Sequence, residues 1–148
     1  MKQSSLALAL MLSTATSASA EPDRISLLLG SHHIGGGDFE EFNPGIFFTW
    51  ERPRADFTVG AYRNSYGEFS AAASAALPIY EWRTGELEAF AGAAYYENAD
   101  DVSDYTLGDF VPLAGLQVRQ GYVFSQFIPA SNDDFNGLVT FGITFPFD

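Results

Sequence analysis

After residue 24 the charged residues stand in groups, and eight windows between them contain no Asp, Glu, Lys or Arg: 25–37, 42–50, 57–62, 69–80, 89–96, 110–118, 120–132 and 135–147. Several alternate with period two, the mark of a strand whose two faces meet different surroundings. In the last window Val139, Phe141, Ile143, Phe145 and Phe147 share one face, and Leu138, Thr140, Gly142, Thr144 and Pro146 the other. Window 69–80 sets Phe69, Ala71, Ala73, Ala75 and Leu77 against Ser70, Ala72, Ser74 and Ala76. A water-soluble barrel would carry Lys and Glu on its outer face; here neither face does. Bulky apolar residues on one side and small or weakly polar ones on the other suit lipid outside and a lumen inside. About 9–11 residues cross a bilayer as a tilted strand, so the windows predict an all-β fold: an eight-stranded antiparallel transmembrane (outer-membrane) β-barrel. A secreted, lipid-free barrel or sandwich with a greasy surface is the competing fold.

The first twenty residues read as a cleaved signal peptide. Lys2 gives a positive start, residues 6–11 a short apolar core, and Ala18-Ser19-Ala20 an A-x-A cleavage site. That leaves 21–148 as one barrel domain. No later apolar run reaches the length of a membrane-spanning helix. The chain has 19 acidic residues against 7 basic ones, which argues against a nucleic-acid partner. It has no cysteine, so disulfides, thiolate metal sites and a thiol nucleophile are excluded.

The connections alternate. Those after the odd windows are mostly long or acidic, with Arg63 as their one base; those after the even windows are shorter and contain Arg52, Arg54, Arg83 and Arg119. Outer-membrane barrels use long loops outside and short turns in the periplasm. Strands one and three then run outward together. This brings His32 and His33, the only two histidines, to the same rim as Arg63, Asn64 and Ser65. A histidine base near a serine hydroxyl, with an amide beside them, is the minimum set for acyl transfer; a wet loop and an ordinary turn would carry the same residues. Strict alternation from Ile25 puts His32 inward and His33 outward. Pro44, Pro112 and Pro129 fall near outward strand ends, where a residue without an N–H can leave a gap between neighbouring strands.

The segments Phe110-Val-Pro-Leu-Ala-Gly, Phe127-Ile-Pro-Ala and 135–147, with Phe42-Asn-Pro-Gly and Ala61-Tyr-Arg-Asn-Ser-Tyr-Gly, resemble the lipid A palmitoyltransferase family (PagP-like). The resemblance implies an eight-stranded outer-membrane barrel of a Gram-negative bacterium whose lumen holds one acyl chain. It implies transfer of that chain from a phospholipid to lipid A, without a cofactor or metal. The family's catalytic histidine would correspond to His33, with His32 the neighbour that alternation favours, and its Asp-Ser pair to Asn64-Ser65. Pro44, Pro112 and Pro129 would flank the lipid's path, Arg63 would contact a phosphate or oxyanion, and Ala76 would lie nearest the pocket floor. Asn64 stands where the family has Asp, no proline matches the one inside its first strand, and its preceding amphipathic helix is absent. A non-catalytic barrel of the same shape, structural or lipid-binding, therefore remains the alternative, and a lipid A deacylase a weaker third. A closed barrel has no free edges, so a monomer is expected.

Overall fold

The computed structural model describes residues 21–130 and 136–147. The signal peptide expected at 1–20 lies outside the described residues. Eight strands form: β1 (Arg24–Ile34), β2 (Phe42–Glu51), β3 (Asp56–Arg63), β4 (Phe69–Trp82), β5 (Gly85–Tyr95), β6 (Phe110–Gln120), β7 (Val123–Pro129) and β8 (Gly137–Pro146). Each pairs antiparallel with its chain neighbours, and β8 closes on β1. The fold is thus a closed eight-stranded antiparallel β-barrel, with one short helix, α1 (Ala99–Val102), between β5 and β6. No helix among the described residues is long and apolar enough to cross a membrane.

Both ends of the described chain and three short turns lie at one end of the barrel, the turn end. The connections 35–41, 64–68 and 96–109, with Ala130 and Asn136, lie at the other, the loop end. Large apolar residues face outward all round: Ile46, Phe57, Val59, Leu116, Phe127 and Phe141 are exposed. Aromatics mark both ends of this band, with Phe42 and Phe69 towards the loops and Tyr80, Tyr122 and Phe147 towards the turns. The opposite alternation fills the interior with Leu28, Ala76, Phe90, Val111 and Phe124, interspersed with Asn43, Thr49, Ser70, Thr140 and Thr144, all buried.

Two sequence expectations need correction. The lumen contains charges that the windows assigned to turns. Strand β5 starts at Gly85, and Glu86 and Glu88 sit within it, opposite Arg119 and Gln117 of β6. Strict alternation also fails in β1, where the register shifts between Leu28 and Gly30 against both neighbouring strands. The extra residue reverses which parity faces inward: Leu28 is buried before it, Ser31 and His33 after it. The shift requires Gly30, since a Cβ there would meet the Glu41 carbonyl oxygen at 2.6 Å.

Candidate active site

The loop end of the lumen brings β1, its glycine turn and the β3–β4 turn together. The β1 shift turns His33 into the barrel and His32 out. His33 is 7% exposed; the His32 ring is in solvent, with Nδ1 2.9 Å from Glu41 Oε1. After Ile34 the chain reverses through Gly35, Gly36 and Gly37, all at positive φ, a run that side chains with a Cβ would strain. The reversal returns Phe39 over His33, the two rings stacked with centroids 4.0 Å apart. Tyr66 meets the same phenyl ring edge-on at 5.8 Å.

The β3–β4 turn is built on Asn64. Its Oδ1 accepts the backbone N–H groups of Tyr66 (2.9 Å) and Glu68 (3.1 Å), and its Nδ2 donates to Ser70 Oγ at 3.0 Å. A short polar side chain closing its own turn this way is a common device. Here it is 1% exposed, and its hydrogen-bonding atoms are engaged in shaping the turn. The turn presents the half-buried Ser65, which lines a lumen cavity with Ser31, Asn43, Tyr62 and Tyr96. Above it, the Ser65 carbonyl accepts the Glu40 N–H at 3.0 Å, and Arg63 Nη2 lies 3.4 Å from Glu40 Oε1. Arg63 is thus at the mouth and solvent-exposed. The Ser65 hydroxyl has no hydrogen bond among the described residues. His33 stacks on Phe39, and Tyr66, the residue after Ser65, meets the same ring, so the Phe39–Tyr66 contact brings the two segments to one end of the barrel.

The cavity is about 110 Å³, room for several waters, so the lumen is not packed solid. Apolar residues Leu28, Phe47, Ala72, Phe90, Leu113 and Leu138 line it with the polar set. Ala76 faces inward and is buried, outside that lining. A chain of side chains runs round the inner wall over four adjacent strands: Thr140 donates to Gln126 (3.1 Å), Gln126 to Gln117 (2.8 Å) and Gln117 to Glu88 (2.7 Å).

The barrel wall is interrupted beside the prolines. The β6–β7 ladder ends at Leu116↔Phe127, although β5–β6 continues to Tyr95↔Phe110 and β7–β8 to Pro129↔Gly137. Residues Leu113, Ala114 and Gly115 therefore have no ladder partner in the adjacent 128–130, and Pro112 and Pro129 flank the opening. A shorter break separates β2 from β3, whose ladder ends at Gly45↔Tyr62 and leaves Pro44 and Arg63 unpaired with each other. All three prolines are exposed on the outer face.

No family model matches the chain, and no curated protein matches it significantly.

Sequence reasoning missed Phe39, Tyr96 and the charged floor. Phe39 lies in a loop where no periodicity operates. The floor had a faint signal: Glu86 and Glu88 are spaced two apart, and Arg119 is a lone charge between two long windows.

Proposed function

We propose that the chain spans the outer membrane of a Gram-negative bacterium, after loss of residues 1–20, and moves a fatty acyl chain from a phospholipid to lipid A. The membrane reading is supported by a closed barrel whose outer face is apolar, bounded by aromatics and free of a charged stripe. The observation that carries the acyl-transfer reading is the lateral break between β6 and β7. It opens beside two prolines, next to an unfilled lumen whose mouth holds Ser65 and His33. A lipid tail would pass sideways through such a break, and the reacting carbonyl would stay at the rim.

In this reading His33 is the base that takes the proton of the attacking hydroxyl, and Ser65 is the hydroxyl at the same rim. Arg63, exposed at the same rim, would face a phosphate or the developing oxyanion. Asn64 is a positioning residue, since its amide is used by the turn. The chemistry needs no cofactor, and the partners are membrane lipids with the barrel as a monomer.

Asn64 and Phe39 favour a second reading, a non-catalytic lipid-binding or structural barrel. One is engaged in the turn and the other covers His33. Mass spectrometry of lipid A from cells expressing the intact chain or Ser65→Ala separates the two. The enzyme predicts a species heavier by one acyl group that disappears with Ser65→Ala. Unchanged lipid A in both strains, with the barrel folded in the membrane, establishes the non-catalytic reading.

A further inference from the structure

At the turn end of the lumen a single guanidinium stands among four carboxylates from three strands. Arg119 Nη2 is 3.0 Å from Asp56 Oδ2 and 3.3 Å from Glu88 Oε1, and it also contacts Glu86; Nη1 is 3.8 Å from Glu51. Its side chain is 7% exposed. Arg119 adjoins both the lumen cavity and carboxylates that reach solvent. On one side it lines the same cavity that reaches Ser65 at the mouth, together with Ser26, Thr49, Thr58 and Gln117. On the other, its partners Glu51 and Glu86 reach solvent, with side chains 43% and 22% exposed.

The charges around Arg119 are unbalanced. Arg24 pairs with Glu51 at 3.1 Å, so two guanidinium groups face four carboxylates. Oxygens of Asp56, Glu86 and Glu88 lie within 4.8 Å of one another, a spacing that suits a cation, and Arg119 supplies one as a tethered side chain. A ring of carboxylates at a constriction selects cations over anions. Above the constriction, the Gln117, Gln126 and Thr140 side chains offer polar lining to a hydrated ion.

We propose that the lumen is a cation pathway held shut by Arg119. The guanidinium is both plug and counter-charge: it fills the constriction and neutralises the carboxylates that would otherwise attract ions from the turn-end solvent. Removing it opens the path and leaves the carboxylates to choose what passes. This inference rests on the barrel spanning a membrane, and it does not depend on acyl transfer.

The test is conductance of the refolded barrel in planar lipid bilayers under a KCl gradient. The intact protein is expected to stay near baseline. Arg119→Ala is expected to show stepwise openings, with the reversal potential shifted towards that of potassium. Glu86→Gln added to Arg119→Ala is expected to reduce that shift. Arg119→Ala leaves several carboxylates unpaired, so Arg119→Ala/Glu88→Gln provides a less charged version for refolding, with fold checked by circular dichroism and heat-modified gel mobility. Folded variants without openings overturn the proposal. Anion preference also overturns it, as does an intact protein that opens as often as the variants. Val59→Ala, at an exposed outer-face residue, is expected to behave like the intact protein, and conductance is read without lipid A, which keeps the result separate from the fate of the acyl-transfer reading.

Discussion

The imidazole of His33 lies face to face with the phenyl ring of Phe39, their planes 16° from parallel. The buried imidazole at the lumen mouth is therefore covered by a residue from its own connection, swung over it by three glycines at positive φ. A stacked aromatic pair contributes about 0.5–1.5 kcal/mol beyond its buried area. Phe39→Ala should accordingly raise the reaction rate of His33 with diethyl pyrocarbonate roughly two- to tenfold, read by peptide mass spectrometry. His32, exposed in the folded protein, is the internal reference and should not change. Equal rates at His33 in both proteins would mean that Phe39 does not shield the imidazole.

Asn64 gives a prediction that separates shape from charge. Alanine there leaves two backbone N–H groups without their acceptor and removes the amide donor to the buried Ser70 hydroxyl. An unmet buried group costs about 1–3 kcal/mol and the two N–H groups are only part-buried, so Asn64→Ala should lose about 1–3 kcal/mol in urea unfolding from lipid micelles. Aspartate keeps an oxygen for both N–H groups, and the Ser70 hydroxyl can rotate to donate to the other. Asn64→Asp should stay within about 1 kcal/mol of the intact protein. If Asp proved as damaging as Ala, the amide N–H to Ser70 would be the critical bond.

The β6–β7 break makes a claim about backbone protection. In the loop-end half of β6, amides of residues 111–115 that point towards β5 are in a ladder, whereas those pointing towards β7 have no strand partner in the described 128–130. Hydrogen exchange by NMR in micelles should therefore alternate along this stretch, with the β7-facing amides roughly tenfold or more faster. Below it, amides of residues 116–120 should be protected on both sides. Uniform protection across 111–120 would show the wall closed.

The barrel was legible because all eight strands are bounded by charges or turn residues, so the absence of charge traced the wall. The same rule hid the floor. Glu86, Glu88 and Arg119 are charges inside strands, made tolerable by one another across the β5–β6 register, and register is not visible along a single chain. His33 shows a second limit. Its side of the wall depends on one extra residue near Gly30, and a one-residue slip inverts every side chain beyond it. Asn64 was visible as a residue type at the right rim, but the turn that it holds depends on the direction of its side-chain atoms, which spacing alone does not fix.

The polar chain Thr140–Gln126–Gln117–Glu88 tests whether the lumen is held by its hydrogen bonds or by their mutual satisfaction. Each interior link both donates and accepts, so removing one leaves unmet groups on both sides. Gln126→Leu strands the Thr140 hydroxyl and the Gln117 amide oxygen and should cost about 1–3 kcal/mol. Replacing all three as Gln117→Leu/Gln126→Leu/Thr140→Val removes donors and acceptors together. Glu88 remains next to Arg119 at 3.3 Å. Because apolar replacement of both partners can be close to neutral, the triple variant should be no less stable than Gln126→Leu alone. Urea unfolding of the single and triple variants decides between them. Losses that simply add would mean that each bond stabilises the barrel independently, so the chain would not act as a coupled network.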